Sequence, residues 1–420
     1  MRLHRRSFLC TTAAVAGTLS APAVLGQTRP RVVVIGGGAG GATAARYLAR
    51  DSDGALDVTL IEASPIYTTC FFSNLYLGGF RDFASLRHGY DRLSGGGVTV
   101  VNDTATQVDR TARTVTLSGG SVLAYDRLVL SPGIDFVEGS VPGWSLGEAE
   151  VMPHAYKAGP QTELLKSQIE AMREGGVFAL IAPPNPYRCP PGPYERVSMV
   201  AHVLKRRNPT AKIIIFDPKE KYSKQPLFEE GWGKHYNGMF DWVNPEFGGA
   251  SVEVRPATME VVVEGTPQKV DVCSVIPAQV AGRIAAIAGI TDETGWAPVH
   301  PATMKSRIDA NVYVLGDSAA QGDMPKSAFA ANSQAKVAAM SIRGELTGTR
   351  VFPAMYTNTC WSLIAADDGV KVGATYEPTP EKIASVESFI SQTGEEAGLR
   401  KATYEESLGW YAGITADIFG

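Results

Sequence analysis

Three glycines, Gly36, Gly38 and Gly41, stand at the spacing GxGxxG within the segment GGGAGG. A β-branched run, Arg31 to Ile35, precedes them, and a helical segment, Ala42 to Ala49, follows. A second apolar stretch, Val58 to Ile61, ends at the acidic Glu62, about 20 residues beyond the glycines. This is the pattern of a βαβ unit that holds a dinucleotide. The first glycine permits a tight turn, the second lets the backbone approach a pyrophosphate, and the third lets helix and sheet pack closely. The helix N-terminus offers free N–H groups and partial positive charge to the phosphates. Glu62 is placed to accept hydrogen bonds from an adenosine ribose.

Sulfur supplies the other candidate chemistry. Cys10 belongs to the extreme N-terminus, and Cys70, Cys189, Cys273 and Cys360 follow at wide spacing. None forms a CxxC pair, and no CxxCH occurs, so the chain itself attaches no c-type haem. Cys189 lies just before a helical segment, Tyr194 to Arg206, where a helix N-terminus lowers a thiol pKa and favours thiolate. Cys360 lies far away in NTCWSLI. On residue pattern alone these two are either a functional pair or two unrelated buried cysteines. Cys273 reads as a buried strand residue. His154, His202, His235 and His300 show no ligand spacing and read as surface or loop residues, so no metal site is expected.

These groups need elements to position them. Val98 to Val101, Thr114 to Leu117 and Leu128 to Leu130 read as strands after the first βαβ unit. A polar helix, Leu164 to Glu174, leads to a second unit: strand Val177 to Ile181, the helix beginning at Tyr194, and strand Lys212 to Phe216. Val270 to Ile276 is a later strand of the same region. The second unit has APPNPYRCPPGPYE in place of a glycine-rich loop. Prolines 183, 184, 186, 190, 191 and 193 remove backbone donors and fix the chain, so a pyrophosphate is not cradled there and no use of NAD(P)H is expected. Strand Asn311 to Leu315 runs into Gly316-Asp317, and a helix starting near Ser327 runs to about Arg343. From Val351 the composition shifts toward Tyr, Thr and turns. The fold class is α/β, with two Rossmann-like dinucleotide-binding domains and a C-terminal α+β domain.

The 420 residues suffice for several domains, and the net charge of −4 gives no basic excess to attract nucleic acid. Arg5 and Arg6 precede a mild apolar run, Cys10 to Leu25, that is too short and weak to remain in a bilayer. Twin arginines before such a run read as a Tat-type export signal over 1–27, with cleavage expected between Ala23 and Thr28. No later segment has the length and apolarity of a membrane span, so a periplasmic protein without stable membrane insertion is expected.

Six segments carry a resemblance: YTTCFFSN (67–74), CPPGPYE (189–195), IPAQ (276–279), LGDS (315–318), PKSAFAANSQAK (325–336) and NTCWSL (358–363). Together, in this order, they resemble the flavoprotein subunit of flavocytochrome c sulfide dehydrogenase, over nearly the whole chain after the signal. The resemblance implies a glutathione-reductase-like fold: an FAD-binding domain in two parts, 28–160 and 296–345, a degenerate nucleotide-binding-like domain at 161–295, and an interface domain at 346–420. It implies FAD bound at Gly36, Gly38, Gly41, Glu62 and Asp317, with Asp317 on the ribityl chain and the helix after Pro325 aimed at the flavin. It also implies a thioether from Cys70 to the flavin 8α carbon, a redox-active Cys189–Cys360 disulfide, and Glu195 as a proton-transfer group. Sulfide would be oxidised to polysulfide or sulfur, with electrons passing to a c-type cytochrome subunit in a heterodimer. Two other readings stay open: a periplasmic sulfide:quinone oxidoreductase, and a flavin electron-transfer module without its own sulfide turnover. Against the quinone reading, Pro380 to Glu406 is polar and acidic and presents no strong apolar face.

Overall fold

The structure, a computed structural model, describes residues 29–420. The expected export signal lies outside the described residues.

The first sheet has five parallel strands in the order Val312–Val314, Arg127–Leu130, Arg31–Ile35, Asp57–Ile61 and Val98–Val101. Their near-continuous apolar runs suit a parallel sheet buried on both faces. Val32, Val34, Leu60, Leu128 and Val314 are almost wholly sequestered from solvent. The sheet is therefore completed by a strand nearly two hundred residues beyond its neighbour in the order. The helix after the glycines begins at Ala39, earlier than the sequence reading placed it, because Gly40 and Gly41 form its first turn. It packs against the long Ala328–Thr347 helix, where Asn332 donates to the Thr43 hydroxyl at 3.0 Å. A methyl on Gly41 would stand 1.8 Å from the Gly36 carbonyl oxygen, so the close packing needs glycine there.

The second sheet repeats the plan with four parallel strands: Phe240–Val243, Lys212–Phe216, Val177–Ile181 and Val272–Val275. Its helix spans Gly192–Arg207. The helix leading into this unit spans Pro160–Ala171, with Pro160 in the first turn, where a missing N–H costs nothing. Thr114–Leu117 belongs to neither parallel sheet. It is the centre of a separate antiparallel sheet with Ala105–Asp109 and Val122–Ala124.

The C-terminal part is a three-stranded antiparallel sheet, Tyr356–Ala365, Asp368–Pro378 and Ile383–Ile390, followed by the helix Ala397–Phe419. That helix returns to the first core, where Phe419 stacks on His88 with ring centroids 4.8 Å apart. No helix among the described residues is long and apolar enough to cross a membrane.

Candidate functional site

A cavity of about 790 Å³ runs along the C-terminal ends of the first sheet's strands. Gly36, Gly38, Glu62 and Asp317 line it. Gly36 has φ +100°, and a side chain there would collide with the Ser131 carbonyl at 2.3 Å. Gly41 does not line the cavity; it packs its helix against Gly36 and Val34 at the end of the first strand. The Glu62 carboxylate accepts the Gly37 N–H at 2.6 Å and the Ser64 N–H at 3.1 Å, which pins the glycine turn and leaves lone pairs facing the cavity. Asp317 is buried deeply enough that its carboxyl is pushed up, opposed by Arg188 and Lys326. One of its oxygens, Oδ1, has no hydrogen-bond partner. A buried, unpartnered carboxylate oxygen facing a glycine-lined cleft fits a ligand hydroxyl, as the ribityl chain of FAD would supply. The residues present therefore fit that cofactor. The helix beyond begins at Ala328, capped by the Ser327 hydroxyl, which accepts the Ala330 N–H at 3.0 Å.

Cys70 and Arg188 line this cavity and also a second, smaller one of about 90 Å³. The smaller cavity is walled by Cys189, Cys360 and Glu195, together with the aromatic rings of Trp361 and Trp410. Residues 171 positions apart in sequence thus face one small cavity, their thiols unbonded to each other. Cys273, by contrast, is wholly buried in the second sheet, where burial pushes its thiol up to about 12.

The loop before the Gly192–Arg207 helix holds Cys189 in an unusual conformation, φ +56°. For a residue other than glycine such a backbone costs about 1–3 kcal/mol. Three contacts hold it: the Cys189 N–H donates to the Lys326 carbonyl at 2.8 Å, its carbonyl accepts the Gly192 N–H at 2.7 Å, and the Tyr156 hydroxyl reaches the same carbonyl at 3.1 Å. The expectation of a thiol lowered by the helix N-terminus is corrected here. Burial pushes the Cys189 thiol well up, reinforced by Cys360 and Glu195 and only partly opposed by Lys224. The first helical N–H groups turn back to Cys189 and Pro191 carbonyls instead of pointing at the sulfur. Cys360 is also raised by burial, opposed by Asn358, whose amide reaches the sulfur at 3.4 Å, and by Lys224.

Glu195 is clamped: Asn74 donates to one oxygen at 2.9 Å and the Leu363 N–H to the other at 3.0 Å. Burial nevertheless raises its carboxyl, so it holds a proton more readily than an exposed glutamate. Several groups of this site carry no sequence signature. Lys224, Arg196 and Tyr156 arrive from three separate segments, and only their burial marks them; Asn74 ends the segment YTTCFFSN, where nothing beside it points to Glu195. His154 lies in a loop, as expected, but that loop is buried. Its Nδ1 accepts the Tyr156 N–H at 3.0 Å, and its ring is driven to about 3, chiefly by burial. Trp361 faces the cavity and lies 5.0 Å from the Trp410 ring, centroid to centroid.

Comparison with known proteins places this architecture. Residues 162–277 match the family model for the central part of the sulfide dehydrogenase [flavocytochrome c] flavoprotein chain, and residues 353–419 match the flavin-binding model of flavocytochrome c sulphide dehydrogenase. The flavoprotein chain of that enzyme from Chlorobaculum thiosulfatiphilum is 54% identical over 44 residues, 10% of this chain and 90% of that relative. The chain belongs to the flavocytochrome c sulfide dehydrogenase flavoprotein family. Residues 30–164 match the broader pyridine nucleotide-disulphide oxidoreductase model. The mitochondrial sulfide:quinone oxidoreductase of Dictyostelium discoideum is 25% identical over 325 residues, 73% of this chain and 69% of that relative. Among solved structures, the sulfide:quinone oxidoreductase of Aquifex aeolicus superposes with TM-score 0.70 at 19% identity, covering 93% of this chain and 92% of its own. The putidaredoxin reductase component of a complex with putidaredoxin superposes with TM-score 0.67 at 16% identity, covering 90% and 94%. These likenesses establish the two-domain flavoprotein fold.

Proposed function

We propose that the chain oxidises sulfide to polysulfide or sulfur through a Cys189–Cys360 disulfide and FAD, and delivers the electrons to a separate c-type cytochrome chain. The observation that carries this reading is the shared cavity: Cys189, Cys360 and Glu195 enclose one small space, and Cys70 stands where that space meets the cofactor cleft. Hydrosulfide attacks the Cys189 sulfur. The bond to Cys360 breaks, leaving a persulfide on Cys189 and a thiolate on Cys360. Glu195, raised by burial, is suited to take the proton that the persulfide releases. FAD, when bound, accepts an electron pair and gives electrons up singly, which suits a haem acceptor. Cys70 would anchor it through a thioether, and Asp317 would hold its ribityl hydroxyls. With no CxxCH in this sequence the haem belongs to another chain, in a heterodimer. The twin arginines at 5 and 6 support export to the periplasm.

The test is sulfide-driven bleaching of the flavin absorbance. Cys189→Ser and Cys360→Ser proteins should keep their flavin and lose the bleaching; retained bleaching removes the disulfide from the reaction. The likeness to a mitochondrial sulfide:quinone oxidoreductase favours one competing reading, a quinone acceptor. Steady-state assays with cytochrome c and with a soluble quinone decide between them. Wild-type protein that is not bleached by sulfide at all would be an electron-transfer module only.

A further inference from the structure

Lys224 is buried, with only 4% of its surface exposed, yet its ammonium contacts a carbonyl and a hydroxyl, and no carboxylate among the described residues lies within salt-bridge distance of it. It stands at φ +62° immediately before the helix Gln225–His235. Its ammonium donates to the Cys360 carbonyl at 3.0 Å and to the Ser362 hydroxyl at 2.8 Å. An ammonium has three donors. No third acceptor is found among the described residues.

The other charges enclosed with the two sulfurs are few. Glu195, on the Gly192–Arg207 helix, is the one carboxylate facing them. Arg196 follows it and donates to neutral atoms: the carbonyls of His154 and Ala155, the Ser274 hydroxyl and the Asn74 side chain. Arg188 and Lys326 are both directed at Asp317. Tyr67, Tyr156 and Tyr376 are pushed up by burial and stay neutral. Tyr187 is pushed up likewise, and Cys70 is the remaining thiol. Two cations therefore stand against one carboxylate. An uncompensated buried charge is costly, and one anionic sulfur in the cavity removes the excess.

We propose that Lys224, behind the cavity wall formed by Cys360 and Ser362, is a positioning residue whose charge stabilises the anionic sulfur of the reaction, first hydrosulfide and then the Cys360 thiolate once the disulfide opens. The proposal rests on the sulfide reading above. Its charge arithmetic is simple. One anion enters as hydrosulfide; its lone pair forms the new bond to the Cys189 sulfur; the Cys189–Cys360 bond breaks, and its electron pair stays on Cys360. The proton of hydrosulfide remains on the persulfide. The cavity holds one negative sulfur before and after, so a single fixed cation serves both states. Anchoring the ammonium to the Cys360 carbonyl keeps it beside the leaving sulfur.

The experiment uses the full flavin-loaded chain, with the cysteine pair reduced by a phosphine and then alkylated by iodoacetamide across a pH series. Peptide mass spectrometry reads the midpoint at Cys360. Lys224→Gln should raise that midpoint by about one pH unit, a tenfold loss of thiolate at a given pH. Lys224→Arg should restore the wild-type value. A Lys224→Gln midpoint equal to wild type overturns the proposal. Should Lys224→Gln fail to fold, wild-type protein decides: bromide, an anion of similar size to hydrosulfide, should slow sulfide-driven bleaching competitively, and absence of competition overturns the proposal. Failure of the sulfide reading itself looks different, as bleaching that survives in Cys360→Ser.

Discussion

The Arg188 guanidinium stands 3.7 Å from the Asp317 carboxylate, tying a loop of the second parallel sheet to a strand end of the first. The pair leaves Asp317 Oδ1 buried and without a partner beside the glycine-lined cleft.

Asp317→Ala should therefore weaken cofactor binding. A hydrogen bond to a charged group contributes about 1.5–3 kcal/mol, or roughly tenfold to a hundredfold in affinity. The effect is cleanest in a Cys70→Ser background, where no covalent bond can mask it. Equilibrium dialysis of FAD against both proteins measures the change, and equal affinities would remove Asp317 from the site.

Cys70 should carry the flavin covalently. The mass of the denatured chain should exceed the polypeptide mass by one FAD, located on the peptide containing Cys70. Cys70→Ser should show the bare polypeptide mass after the same denaturation. A wild-type chain that releases all its flavin on unfolding contradicts the attachment.

Gly192→Ala should slow the sulfur chemistry while sparing the cofactor. The added methyl would lie 3.0 Å from the Cys189 sulfur and from the Tyr156 hydroxyl. Displacing a reacting atom by about an ångström can cost about a hundredfold in rate. Rapid-mixing measurement of bleaching, at unchanged flavin content, reads this directly; an unaltered rate would show that the sulfur tolerates the methyl.

The sulfide-driven rate should fall as pH rises through about 8. Burial lowers the Lys224 ammonium to about 8, opposed by Cys360, Glu195 and Cys189. The charged form is thus present below that pH and lost above it. Lys224→Arg keeps a cation throughout and should abolish this alkaline fall. A pH–rate profile of single-turnover bleaching checks both proteins, and an identical fall in the arginine variant assigns it to another group.

Arg400→Met should destabilise the C-terminal part. The Arg400 side chain is 5% exposed and lies 3.1 Å from Asp368, with Glu395 at 3.0 Å and Glu230 at 3.4 Å. Removing one partner of a buried ion pair costs about 3–5 kcal/mol, because the remaining charge stays buried. Denaturant unfolding followed by fluorescence should show a loss of that order, and a loss below about 1 kcal/mol would mean the carboxylates find water instead.

The dinucleotide fold was legible because its signals are local. GxGxxG, the runs RVVVI and KIIIF, and the helix capped by Ser327 declare themselves within a few residues. The C-terminal helix did not. Its buried face begins with Arg400, Thr403 and Ser407, of which Arg400 is satisfied by ion pairs and Ser407 by the Tyr404 carbonyl, so an apolar stripe is missing over its first turns. The burial of His154 within its loop is illegible for a similar reason: burial here is set by distant partners, and nothing beside it in sequence announces them. Lys224 is invisible in sequence because it gains its role from long-range contacts to Cys360 and Ser362, and Asn74, though it ends YTTCFFSN, gains its role from Glu195, 121 residues away.

The loop bearing Cys189 is moored on one side to the Lys326 carbonyl, just ahead of the helix that belongs to the first sheet, and on the other to Tyr156 at the entrance of the second. The sulfur is thereby a gauge of how the two halves are aligned. A slight rotation between them would swing Cys189 away from Cys360 and part Arg188 from Asp317, while a flavin tethered through Cys70 would stay with the first sheet. Loosening that seam, by mutation or by heat, should first appear as sluggish thiol exchange in a protein whose yellow colour is undiminished.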